Sequence, residues 1–335
     1  MGFNLRNCVI ILFGPTGVGK THFADLLAAQ LPSEIVNADM GQLYTPLTIG
    51  TAKPDWRKSA IPQHLFDIIN EPRVITVTEY RDRVMSTLEA IWARNNIPIL
   101  VGGSGFYLQS LFFPPESTSA ISEAEQKIAE TKFAPEADRW RQLYEIDPQR
   151  ALRIHPNDMY RIDRALVIYF TTGKKPSEQE PRYQPLASYC FVSLTRERKE
   201  LYDAIDARAR LMLQEGWIQE TQRLIGTEWQ EFLINKKIIG YDDIIHYLLQ
   251  SEKCDVDYEE LVRIISQKTR NYAKRQTTFG TYLMDNLQKA ISDHNDTRSM
   301  CHEFNLTNTG AQLYINQLLD QIKKMHCFDA NRRNV

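Results

Sequence analysis

The sequence predicts an α/β protein: a parallel sheet flanked by helices, with an all-helical domain inserted into it. Three observations carry this reading. An apolar strand, Val9 to Phe13, runs into a glycine-rich turn and then a helix. Further apolar strands at 34–39 and 97–101 alternate with helix-periodic segments, the pattern of a parallel sheet. Strand signals then vanish between Pro114 and Pro185 and return at Ser188 to Leu194.

The first strand ends in Gly14-Pro15-Thr16-Gly17-Val18-Gly19-Lys20-Thr21, which fits G-x-x-x-x-G-K-[ST] in a strand–turn–helix setting. Backbone N–H groups of such a loop converge on phosphate oxygens. Lys20 adds a point charge, the Thr21 hydroxyl can ligate Mg²⁺, and the helix N-terminus favours an anion. The arrangement is P-loop NTPase-like; it specifies a diphosphate or triphosphate and leaves open whether a nucleotide carries it. A helix from Lys20 to Leu31 follows. The second strand, Glu34 to Asp39, ends in a carboxylate, and an Asp there serves as a Mg²⁺ partner, as a base acting on an acceptor, or as the cap of the next turn. A loop with Gly41, Pro46, Gly50, Pro54 and Pro62 leads to a helix over 76–94, with Thr76 or Thr78 as N-cap. The strand Ile97 to Val101 then turns through Gly102-Gly103-Ser104-Gly105 into another helix. Ligands of parallel sheets gather at the carboxyl ends of strands, where Thr16, Asp39 and Ser104 all lie.

The insertion reads as charged helices with proline breaks. Arg161 and Arg164 sit three apart on one of them, away from its apolar residues. They suit either a backbone-phosphate clamp or a solvated face, and spacing alone favours the second. His64 and His155 read as local hydrogen-bonding residues. After the Ser188–Leu194 strand come long helices over 196–215, 238–249 and 257–279. Arg208 lies near the apolar stripe of the first, so it needs a partner: a phosphate, or an internal carboxylate such as Asp206 or Glu215. Arg263, Lys268, Arg270, Lys274 and Arg275 interleave with Tyr272, a pattern suited to single-stranded nucleic acid or to a solvated surface. The expected domains are 1–113 with 186–280 as the catalytic core, 114–185 as the helical insertion, and 281–335 as a helical tail of weak signal.

At 335 residues, 43% hydrophobic and 24% charged, the chain has ordinary globular composition. A formal charge of −2 means that nucleic-acid contact would rest on local basic patches. No run of about 18 apolar residues occurs and the N-terminus lacks signal-peptide regions, so a cytoplasmic protein without membrane contact is expected. Five isolated cysteines, at 8, 190, 254, 301 and 327, read as reduced thiols; Cys301-His302 with His326-Cys327 matches no standard zinc spacing.

Taken together, these motifs resemble the tRNA dimethylallyltransferases, the isopentenyl transferase family that modifies adenosine beside the anticodon. The similarity runs from about residue 9 to 280 on motifs in a fixed order. After the P-loop come Ala38-Asp39…Gln42…Tyr44, Ile49-Gly50-Thr51-Ala52-Lys53-Pro54, His64-Leu65-Phe66-Asp67-Ile68 and Leu100-Val101-Gly102-Gly103-Ser104. Arg153-Ile154-His155-Pro156-Asn157-Asp158, Arg161…Arg164-Ala165-Leu166, Thr172-Gly173-Lys174, Arg208, Gly240-Tyr241 and Thr269-Arg270…Ala273-Lys274-Arg275-Gln276 complete it.

The resemblance implies that the P-loop, Gly14 to Thr21, holds dimethylallyl diphosphate instead of ATP. Thr16, Lys20 and Thr21 would surround the diphosphate with Mg²⁺, Arg208 would close over it, and Asp39 would take the adenine N6 proton. Asp39, Met40, Gly41, Gln42 and Ser104 would contact tRNA. So would Tyr160, Arg161, Ile162, Asp163 and Arg164, and Lys237, Ile238, Ile239, Gly240, Tyr241 and Asp242. Arg270, Lys274 and Arg275 are further tRNA candidates, the insertion would grip the anticodon stem, and a monomer is expected. Departures from the family pattern are Met40-Gly41 for Ser-Met, Ser104 for Thr, Glu125 for an early Arg of the insertion, and Phe279 for Trp. Two other classes compete. A P-loop kinase would use ATP with Asp39 as base. A non-catalytic tRNA-binding module would not require the P-loop, Asp39 and Arg208 together.

Overall fold

Six strands, β1 (Cys8–Phe13), β2 (Ser33–Asn37), β3 (Gln63–His64), β4 (Ile97–Gly102), β5 (Ser188–Thr195) and β6 (Met300–Asn305), form one all-parallel sheet. Their order is β3-β2-β4-β1-β5-β6. The computed structural model describes residues 8–115, 121, 123–179, 181–250, 258–307 and 310–324. Cys254, His326 and Cys327 lie outside them. β1 is buried at every position, which is why it reads as an unbroken apolar run. Its register aligns Phe13 with Gly102 of β4 and with Ser193 of β5, while Asn37 of β2 pairs with Val101. The loops leaving β1, β2 and β4 therefore emerge side by side at one edge.

The chain folds as two compact units, Met1–Gln109 with Pro185–Val335, and Ser110–Gln184. In the first unit, α1 (Lys20–Ala28) starts from Gly19, α2 (Val77–Ala93) is capped by the Thr76 hydroxyl accepting from Glu79 N–H at 3.1 Å, and α3 (Gly105–Gln109) follows β4. Glu34 on β2 gathers Arg94, Asn96 and His64, the last at 2.5 Å, so His64 is a local hydrogen-bonding residue.

The second unit holds α4 (Glu123–Glu130), α5 (Arg139–Ile146), α6 (Pro148–Leu152) and α7 (Met159–Thr172), with no strand among its described residues. Its own core comprises Leu143, Ala151, Ile154, Ile162, Ala165 and Leu166. Buried Asp147 joins the start of α6 to the next turn, accepting from Arg150 N–H at 3.1 Å and Ser177 N–H at 2.8 Å. His155 Nδ1 accepts from Asn157 N–H at 3.2 Å, again a local role.

The first unit continues with α8 (Arg198–Gln214), α9 (Trp217–Gln222), α10 (Glu228–Lys236), α11 (Tyr241–Gln250), α12 (Tyr258–Asp293) and α13 (Ala311–Lys324). α12 passes close to the end of β1: a Cβ at Gly280 would lie 2.5 Å from the Phe13 ring. The tail differs from the all-helical expectation. α12 runs well past Phe279, β6 then pairs with β5 from Cys190↔Met300 to Thr195↔Asn305, and α13 buries Ile315, Leu318 and Ile322 in the core that holds Phe23 and Leu27. β6 has no apolar run because it is an edge strand, and Phe304 is its one buried residue. Cys8 and Cys190 are buried free thiols, Cys301 is a partly buried one that burial pushes up to about 12, and the His302 ring stacks on Phe304. Among the described residues no helix is long and apolar enough to cross a membrane.

Candidate active site

The loop after β1 is shaped by Gly17 and Gly19, whose φ values of 83° and 104° are left-handed. Gly14 is required for a different reason, since a Cβ there would lie 2.7 Å from the Leu194 carbonyl oxygen. Buried Val18 anchors the loop from below. Lys20 Nζ donates to the carbonyls of Gly14 and Pro15, each at 2.9 Å. Burial lowers the Lys20 ammonium to about 8, helped by nearby Arg208 and opposed by Asp39. Thr21 lies exposed on the crevice beside it.

The loop after β2 is built on Asn37, a residue to which the sequence reading assigned nothing. Fully buried, Asn37 donates to the carbonyls of Asp39 at 3.0 Å and Leu65 at 2.9 Å and accepts from Asp39 N–H at 2.9 Å. Asp39 Oδ1 in turn accepts from Gly41 N–H at 3.1 Å and caps the 3₁₀ turn over 40–43. Capping thus occupies one carboxylate oxygen; among the described residues nothing hydrogen-bonds to Oδ2. Ser104, from the loop after β4, accepts from Met40 N–H at 3.0 Å and keeps the hydroxyl expected there. A solvent-open crevice lies against Lys20, Thr21, Asp39, Gln42 and Phe66.

One wall of this crevice depends on Glu220, a buried carboxylate that sequence reasoning also missed. Glu220 accepts from the N–H groups of Thr48, Ile49 and Gly50 at 3.1, 2.8 and 3.2 Å and from the Tyr241 hydroxyl at 2.6 Å. The loop so held meets Gln42, whose amide donates to Thr51 and Ala52 carbonyls at 3.1 and 3.3 Å. Buried Lys53 pairs with Asp67, which also takes Trp56 Nε1 at 3.0 Å.

Arg208 projects from α8 to the P-loop, with Nη1 3.5 Å from the Thr16 hydroxyl. Burial pulls its pKa down and Asp39 pulls it up. The two internal carboxylates considered for it do not pair with it: Arg270 binds Asp206 at 2.7 and 2.8 Å, and Glu215 is exposed. Lys20, Arg208, Thr16 and Asp39 therefore share one site, drawn from three elements.

Gln276 is a third residue without an assigned role. It is buried on α12, accepts from Thr16 N–H at 2.9 Å and donates to the Gly103 carbonyl at 2.9 Å. Its presence in the motif Ala273-Lys274-Arg275-Gln276 was the one signal available.

The remaining candidates separate by burial. On α7, Tyr160, Arg161 and Arg164 are exposed. Arg161 pairs with Asp158 at 2.9 Å, whereas Arg164 has no ion pair among the described residues. Ile162, expected on the tRNA face, is instead part of the unit's core because it shares the helix stripe of Ala165 and Leu166, and Asp163 pairs with Arg139 at 3.0 Å. Lys237 is exposed, and Ile238 and Ile239 are half-buried. Gly240 leaves no room for a side chain under Trp217, Tyr241 is fully buried on Glu220, and Asp242 is held by Lys268 at 3.0 Å. These three support the 48–50 loop and its surroundings from inside instead of presenting a surface. Lys274 and Arg275 are exposed, while Arg270 is committed to Asp206.

Comparison with known proteins agrees with this geometry. Residues 42–281 match the family model described as IPP transferase, a match that begins beyond the P-loop. The chain is 36% identical over 285 residues to a tRNA dimethylallyltransferase of Alkaliphilus metalliredigens, covering 82% of this chain and 89% of the relative. Among solved structures, a tRNA delta(2)-isopentenylpyrophosphate transferase from Staphylococcus epidermidis aligns over 95% of this chain and 100% of its own with a TM-score of 0.61 at 25% identity. A eukaryotic dimethylallyltransferase acting on tRNA aligns over 96% and 76% with a TM-score of 0.68 at 26% identity.

Proposed function

The chain belongs to the IPP transferase family, and from that premise we propose that it transfers a dimethylallyl group from dimethylallyl diphosphate to N6 of adenosine 37 in tRNA, releasing diphosphate. The observation that carries this reading is the convergence on the P-loop of Lys20, held on the Gly14 and Pro15 carbonyls, and Arg208, held at the Thr16 hydroxyl, with the Asp39 charge acting on both. Two half-buried cations stabilise a leaving diphosphate, and one oxygen of a fixed carboxylate is left to receive a proton. N6 attacks the allylic carbon as its bond to oxygen breaks; the electron pair leaves on the diphosphate, and the N6 proton passes to Asp39. Lys20 must exchange its loop carbonyls for phosphate oxygens when the donor enters.

The donor set near Thr21 fits Mg²⁺ held through substrate. Among the described residues no three His, Cys, Asp or Glu side chains cluster, while a P-loop hydroxyl beside a diphosphate is the sparse oxygen site this ion accepts. Thr21 would hold it, and it would add charge neutralisation of the leaving group.

The acceptor reaches the site as an unstacked base, since N6 in a stacked anticodon loop cannot enter a crevice. Met40, Gly41, Gln42 and Ser104 lie around Asp39 to receive it. The helical unit supplies exposed Arg161, Arg164 and Tyr160 for the anticodon stem, and the protein works as a monomer in the cytoplasm. A kinase reading is not favoured, because the relatives are named as dimethylallyl transferases. The test incubates the protein with unmodified tRNA, dimethylallyl diphosphate and Mg²⁺. A nucleoside heavier by one dimethylallyl group is expected, and product that forms only with stoichiometric ATP hydrolysis would overturn the reading.

A further inference from the structure

The Gln276 amide uses both ends. Oε1 takes Thr16 N–H from the loop after β1, and Nε2 gives to the Gly103 carbonyl in the loop after β4, both at 2.9 Å. The fit is tight on the second side, where a Cβ at Gly103 would stand 2.2 Å from Nε2. Gly103 adjoins Ser104, which accepts from Met40 N–H next to Asp39. A continuous set of short contacts thus runs from Thr16, through Gln276, Gly103 and Ser104, to the turn that Asp39 caps. Tyr272, one turn earlier on α12, lies with its hydroxyl against both Ser104 and Gln276.

We propose that Gln276 is a positioning residue for the transfer, fixing the diphosphate-holding loop against the loop that places the acceptor base. This rests on the reading of the site given above. Gln276 touches no reacting atom: it takes a P-loop N–H away from phosphate and spends it on alignment. Its side chain hydrogen-bonds to both loops and arrives from α12, which also presents exposed Lys274 and Arg275. An amide is required because one atom must accept while the other donates. Misplacing either reactant by a fraction of an ångström leaves both bound but badly aligned, and alignment losses of this kind reach about 10²-fold in rate.

The test compares Gln276→Met, which keeps volume and loses both hydrogen bonds, with Gln276→Glu, which keeps shape and, when ionised, only the bond from Thr16 N–H. Three quantities are measured: single-turnover rate at saturating tRNA and dimethylallyl diphosphate, inorganic diphosphate affinity, and tRNA affinity. The saturated rate of Gln276→Met should fall by more than about 10-fold with both affinities within about 3-fold of wild type. The rate of Gln276→Glu relative to wild type should rise as pH falls, because a protonated carboxyl can again both donate and accept. The ratio cancels the loss of Asp39 basicity common to both proteins. A smaller fall at saturation, or one accounted for by weaker diphosphate binding, would overturn the proposal, as would a flat pH ratio. If Gln276→Met does not fold, Gln276→Glu decides alone. Absence of prenyl transfer by the wild-type protein would count against the assigned reaction and is distinguished by that control.

Discussion

Arg270 holds Asp206 by one guanidinium nitrogen bonded to both carboxylate oxygens, at 2.8 and 2.7 Å, across 64 residues of sequence. Asp206 stands two residues before Arg208 on α8, a spacing that turns the two side chains to different faces of the helix. Arg208 is left with the Thr16 hydroxyl and the field of Asp39. One face of α8 is thus tied to α12 through Asp206, while another presents Arg208 to the P-loop.

Arg208→Ala should therefore lower the single-turnover rate by about 10²–10³-fold, the usual loss when one group stabilising a developing charge is removed. tRNA affinity should stay within a few-fold. Equal losses of rate and tRNA binding would show that Arg208 serves the acceptor instead.

Lys20 carries a pH signature. Its folded-state pKa of about 8 lies below the ordinary Lys value of 10.5 because burial disfavours the charged form. The unfolded chain holds the proton between these values and the folded protein does not, so this group makes stability rise with pH from about 8 to 10.5. Diphosphate needs the ammonium form, so its affinity should weaken above pH 8, approaching tenfold per pH unit, with proton uptake on binding. Calorimetry in buffers of different ionisation enthalpy checks this; Lys20→Met should abolish the uptake.

Asp39→Asn isolates the base from the cap. The Asn oxygen can still accept from Gly41 N–H, so the turn should persist and melting temperature change little. The rate should drop by about 10²–10⁴-fold with tRNA affinity nearly constant. A near-normal rate would reduce Asp39 to its capping role, and weakened donor binding rescued by Mg²⁺ would make it a metal partner.

On the helical unit, Arg164→Ala should lower the slope of log affinity for tRNA against log salt by about one, and Arg161→Ala by less, because Arg161 already spends its charge on Asp158. Diphosphate binding should not change. An unaltered slope in the double variant would mean that this helix face is merely solvated.

Glu34 gives a prediction on stability. Burial raises its pKa, but hydrogen bonds from Arg94, Asn96 and His64 outweigh burial and hold the carboxyl at about 2. The stability it contributes is complete above the ordinary value of 4.5 and is lost as pH falls through 4.5 toward 2. Glu34→Gln should flatten that part of the melting-temperature profile; an unchanged acid limb would exclude Glu34 as its source.

The P-loop, the strands at 8–13, 33–37, 97–102 and 188–195, and the sites of Asp39 and Ser104 were legible in the sequence because each rests on local information. Apolar runs bury on both faces, and glycines take conformations other residues avoid. The family's ordered motifs likewise led to the same fold and reaction that the comparisons support. What tertiary structure alone decided is long-range. Gln276 meets Thr16 across 260 residues, Glu220 meets Ile49 across 171, and Arg270 meets Asp206 from another helix. β6 is a strand only because β5 offers it an edge, and its polar residues announce nothing by themselves. Tyr241 and Asp242 look like surface motif residues until packing places them inside. A sequence specifies which groups can hydrogen-bond; which of them meet is settled by the register of the sheet and the path of α12.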